Sequence, residues 1–64
     1  MFYTLTTISK TTGDLCYFDG YGFSLLPENA KIYSDYRRDP ANHAELVSAA
    51  FNGHRISIVE VQAA

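Results

Sequence analysis

One cysteine, Cys16, is all this chain has, so an internal disulfide is excluded. Small secreted scaffolds that rely on staples are cysteine-dense, which points this chain to a reducing, cytoplasmic setting. Apolar runs are short: none approaches the ~20 residues that span a bilayer, and no charged segment leads into an apolar run as in a secretory leader. Cations are few. Lys10, Lys31, Arg37, Arg38 and Arg55 stand against seven acids, for a net charge of −2. Nucleic-acid binders usually carry a basic stripe, because phosphate contacts dominate their affinity. Repeats and low-complexity tracts are absent.

Motifs for chemistry are missing as well. Cys16 with His43 or His54 is the only nucleophile and base set, and no cation near Leu15-Cys16-Tyr17 would activate the thiol. No C-x-x-C, H-x-x-x-H or D-x-D spacing offers a metal site. Gly20-Tyr21-Gly22 is a fragment of G-x-G-x-x-G without the third glycine or a following helix, and reads as a turn. With 64 residues, the chain makes one domain at most. Such a domain buries only about 60% of its unfolded surface, and its stability is on the order of 3–5 kcal/mol. That is too little interior to wall off a deep pocket. Neither an enzyme nor a cofactor is expected.

Hydrophobic residues make up 47% of the chain, and five tyrosines accompany four phenylalanines. Phe2 to Ser9 and Asp14 to Phe18 read as a hairpin about Lys10-Thr-Thr-Gly13. A Thr12-Gly13 turn sets Ile8 opposite Tyr17 and Thr7 opposite Phe18. Leu5, Thr7, Cys16 and Phe18 then share one face; Ile8, Leu15 and Tyr17 share the other. Asp19 to Gly22 ends the strand. Pro27-Glu28-Asn29 suggests a turn with proline at its second position. Ala30 to Tyr33 reads as a short strand. A helix from Pro27 to Arg38 is the rival, and the strand-forming Ile32 and Tyr33 favour the strand.

Asp39 to Gly53 has the marks of a complete helix: Asp39 as side-chain N-cap, Pro40 at the first position, Asn52-Gly53 as the stop. Its expected buried stripe is Leu46, Val47, Ala50 and Phe51, with His43 or Ala44 a turn earlier. Ile56 to Val61 reads as a final strand, covered on much of both sides. The fold class is α+β: a small, mostly antiparallel sheet in the order ββ(β)αβ, with one helix on one face. If the strands at Ile32 and Ile58 run parallel, their crossover should be right-handed.

Function then falls to the surface. Tyr21, Asp35, Tyr36, Arg37, Arg38 and Glu45 are the candidate partner-binding residues, since tyrosine and arginine are enriched at binding hot spots and complementary charge orients docking. The alternatives are a small nucleic-acid-binding or regulatory protein using Tyr36-Arg37-Arg38, and a self-assembling subunit joined at a free sheet edge. Against nucleic acid, Asp35 and Asp39 bracket the arginines. In size, lone domain and lack of catalytic groups, the chain resembles the small proteins of phages and mobile elements, anti-CRISPR inhibitors among them. The resemblance implies a monomer or weak homodimer that occludes a host protein surface in the host cytoplasm, with no membrane association.

Overall fold

The computed structural model describes residues 1–36 and 38–61. The elements, in order, are β1 (Phe2–Ile8), β2 (Leu15–Phe18), β3 (Phe23–Ser24), a 3-10 turn (Pro27–Asn29), β4 (Tyr33–Ser34), α1 (Pro40–Ala50) and β5 (Ser57–Val61). This is the expected α+β class, with a curled antiparallel sheet and one helix. β1 is its central strand. On one edge it pairs with β5 along Phe2 to Thr6. On the other it pairs with β2 at Thr6 to Ile8 and with β4 at Phe2 and Tyr3. β4 and β5 are both antiparallel to β1, hence parallel to each other, with α1 connecting them across the sheet.

The hairpin register differs from expectation by two residues. Ile8 lies opposite Leu15 and Thr7 opposite Cys16. The loop spans four residues rather than two: Ser9 N–H donates to the Asp14 carbonyl and Gly13 N–H to the Ser9 carbonyl. A two-residue slip preserves the side-chain alternation, so the expected faces stand. Residues 23–34 hold β3, the proline turn and β4, with no helix beyond the 3-10 turn. Asn29 N–H donates to the Leu26 carbonyl, which leaves Pro27 in the second turn position. The expected strand at Ala30 begins only at Tyr33. Lys31 instead bonds the end of β2, donating its N–H to the Phe18 carbonyl, and its own carbonyl accepts from Thr4 Oγ1.

The helix starts at Pro40, but the Asp39 side chain makes no capping bond. At the other end Phe51 N–H reaches the Val47 and Ser48 carbonyls, and Gly53 N–H bonds the Ser48 carbonyl at 2.7 Å. Asn52 and Gly53 both take the left-handed conformation that this closure needs, with φ of 60° and 76°. The buried stripe is His43, Ala44 and Val47, with Phe51 half-buried. Leu46 and Ala50, expected inside, are exposed, Leu46 at 63%. Burial of His43 turns the helix so that Leu46 points away from the sheet.

Tyr3, Leu5, Phe18, Ala44 and Val47 form the core, with Phe23, Tyr33, Phe51 and Ile56 packed against it. Fully burying a side chain such as Leu5 contributes about 1.5–3 kcal/mol. β5 also departs from expectation: Ile58 and Val59, on opposite faces, are 39% and 44% exposed. It is an edge strand, not one covered on both sides.

Candidate functional site

Alternation along β1 sends Tyr3 under the first turns of α1. There its hydroxyl meets His43 Nδ1 at 2.8 Å in a buried hydrogen bond. Arg38 Nη1 lies 3.4 Å from Nε2 of the same ring. Arginine has no acceptor, so Nε2 must accept. Nδ1 then carries the proton and donates to the Tyr3 oxygen. The Tyr33 ring, on β4, stands edge-on to His43 with centroids 4.5 Å apart and stacks on Tyr3 at 5.7 Å. Burial, and secondarily the Arg38 cation, hold the His43 pKa below its ordinary value. Burial raises the Tyr3 and Tyr33 hydroxyls against the opposing pull of Arg38. At neutral pH the cluster is an uncharged support, with the Arg38 cation against the His43 ring.

Two cations share the Tyr33 ring. Arg38 Cζ lies 5.5 Å from its centroid and Lys31 Nζ lies 5.8 Å from it, both within cation–π range. Among the described residues the one ion pair joins Asp35 to the Met1 amino group at 2.9 Å, so neither Lys31 nor Arg38 is matched to a carboxylate. The Asp19–Gly22 loop presses on this surface. A Cβ on Gly20, whose φ is +104°, would meet Lys31 Cδ at 3.2 Å and the Tyr33 hydroxyl at 4.0 Å. The backbone angle is what calls for glycine here; the approach asks only that the Lys31 side chain give by a few tenths of an ångström. Asp19 Oδ1 accepts from the N–H groups of Tyr21 and Gly22 at 2.9 and 2.8 Å. These bonds favour its charged form and lower its pKa.

The loop holds out Tyr21, which is 95% exposed, and the turn before α1 holds out Tyr36 at 91%. Arg38, Asn42, His43 and Leu46 line a shallow pocket of about 220 Å³.

Of the sequence-derived candidates, Tyr21, Asp35, Tyr36 and Arg38 belong to the loops around this cluster. Asp35 is already engaged by the Met1 amino group. Glu45 is placed apart, in a groove between α1 and β5. Arg37 lies outside the described residues. Lys31, Tyr33, His43 and Leu46 were missed. The signal for His43 was its place on the helical stripe, but nothing in the sequence paired it with Tyr3, forty residues away.

Cys16 is half-buried, its thiol 3.7 Å from the Asp14 carbonyl, while His43 is committed to Tyr3 and Arg38. Among the described residues no three of His, Cys, Asp and Glu gather as metal ligands would, and no helix is long and apolar enough to cross a membrane. No protein-family model, curated protein or solved structure matches the chain.

Proposed function

We propose that the protein is a binding module without catalytic chemistry of its own, which docks on another protein through the face around Tyr33. The observation that carries this reading is the convergence of Lys31 and Arg38, neither in an ion pair among the described residues, on the Tyr33 ring, with Tyr21 and Tyr36 almost fully exposed in the adjoining loops. Exposed tyrosine and arginine are the residues most enriched at binding hot spots, and a side chain held before docking loses less entropy on docking. His43 supplies that hold by anchoring Arg38 from within. Leu46, exposed beside the pocket, adds an apolar contact.

The setting suggested by the chain's general character is a phage-encoded inhibitor that occludes a host defence complex in the host cytoplasm. Asp19, Asp35 and Asp39 flank the two cations, which favours a protein over a phosphate polymer.

Affinity capture from a host lysate tests the reading when wild type is run beside a Tyr36→Ala/Arg38→Glu variant. The same protein should be retained by wild type and lost by the variant, with the variant still unfolding cooperatively in urea at a midpoint lowered only slightly. Equal retention by the variant would overturn it. Captured material released by nuclease or by moderate salt alone would favour the nucleic-acid reading instead.

A further inference from the structure

β5 is the long unguarded edge of the sheet. Its inner side pairs with β1 over its whole length, and among the described residues no strand pairs with its outer side. The other short strands, β3 and β4, have two residues each. Edge strands are usually kept from pairing by charge, above all lysine, by proline, a bulge or brevity. Ser57–Val61 has no proline, no lysine and an unbroken register, and its single charge is Glu60.

Beside this edge, α1 and β5 enclose a groove of about 470 Å³ lined by Ala44, Glu45, Ser48, Arg55, Ile56 and Ile58. Small helix residues leave the space, and the isoleucines make it apolar. Strand alternation turns Glu60 to the same face as Ile58, since both pair with the helix-side residues Tyr3 and Leu5. Glu45 and Glu60 make no ion pair among the described residues.

We propose that this edge accepts an extended segment of a partner protein, added as a further antiparallel strand. Its backbone would bond the outer N–H and C=O groups of β5, and its alternate side chains would enter the groove. Glu60, the one charge on the strand, sets the chemistry: a lysine or arginine opposite Glu60, followed at alternate positions by apolar residues opposite Ile58 and Ile56. A second copy of this chain fits less well. Two β5 strands related by a two-fold axis pair only residues of one face, so Glu60 meets His54, Ile56, Ile58 or another Glu60, and never Arg55.

The inference shares with the proposed function the premise of a protein partner, but it uses a different surface. An isotope-labelled sample titrated with the blocked peptide Lys-Thr-Val-Thr-Val-Thr tests it by NMR. Amide shifts should concentrate in Ser57–Val61 and in the helix around Glu45. The same peptide with glutamate in place of lysine should bind about tenfold more weakly, the scale of one charged contact. A Glu60→Lys variant, altered at an exposed site on the strand itself, should reverse that preference.

Silence of the β5 amides at millimolar peptide would overturn the proposal. Equal affinity for both peptides would do so too, as would β5 shifts that follow protein concentration without peptide, the sign of a second copy on the edge. The Tyr36→Ala/Arg38→Glu variant should keep the full peptide response, so this inference and the proposed function can fail separately.

Discussion

Two aromatic clusters lie beneath the two ends of one helix, packed at the same distances and built for different ends. At the C-terminal end, Phe18, Phe23 and Phe51 meet with centroids 5.1–5.9 Å apart. At the N-terminal end, Tyr3, Tyr33 and His43 meet at 4.5–5.9 Å. The first triad has no polar side-chain atom, and burying it needs only shape. The second has hydroxyls and an imidazole that must be satisfied, and the surplus acceptor on His43 reaches outward to Arg38. Packing alone is met by either cluster. Only the second connects the interior to a charged surface, so stability and binding should separate along the helix.

Phe18→Ala breaks the comparison at its stabilising end and has the largest expected effect. Loss of a buried phenylalanine ring costs about 3–5 kcal/mol, comparable to the whole stability of so small a domain. The variant should lose dispersed amide signals and cooperative urea unfolding. Retention of a native spectrum would show that the apolar triad is not what holds the fold.

Tyr3→Phe comes next and probes the polar end at nearly constant volume. It leaves the His43 N–H buried without its acceptor, a penalty of about 1–3 kcal/mol. The urea midpoint should fall accordingly. Phe23→Leu, which removes a ring but no polar partner, should cost less than about 1.5 kcal/mol. Equal effects from the two would erase the distinction drawn between the clusters.

The pH dependence is smaller and has a definite sign. His43 has a lowered pKa in the folded state, from burial first and Arg38 second. The unfolded chain therefore binds more protons as pH falls below the ordinary histidine value, and stability declines. The contribution is fully present above about pH 6.5 and is lost as pH drops toward the lowered folded value. A His43→Gln variant should show a flatter stability profile between neutral and mildly acidic pH. Arg38→Gln should flatten it partially, by removing the lesser of the two causes. Asp19, also lowered, acts at more acidic pH with the same sign.

Most of the frame was legible in the sequence. Pro40 and Asn52-Gly53 marked the helix, and the alternation of Leu5, Thr7, Cys16 and Phe18 gave the hairpin faces even though the loop length set the register two residues away. β3 was not legible, because two residues carry no period. Leu46 was assigned to the core since a helical stripe can be drawn through it. The stripe through His43 is equally regular, and only the hydroxyl of Tyr3 on a distant strand makes burial of an imidazole tolerable. Tertiary pairing of polar atoms leaves no local pattern, which is also why Lys31 and Tyr33 were not seen as part of the site. Ile58 and Val59 were read as covered because their run is apolar, but their exposure follows from the strand's place at the sheet edge.

At the outer rim, Tyr36→Ala should leave stability within about 0.5 kcal/mol. Arg38→Glu takes a donor from His43 Nε2, but at an exposed position that water can reach, and should cost no more than about 1 kcal/mol. Binding should depend on both side chains far more than stability does. The most direct test of that difference is the affinity of the double variant for the partner captured by wild type, measured beside its urea midpoint. The expected result is a loss of at least about thirtyfold in affinity, equivalent to one hot-spot residue of 2 kcal/mol or more, with the midpoint lowered only slightly. Unchanged affinity, or a loss matched by a falling midpoint, would contradict it.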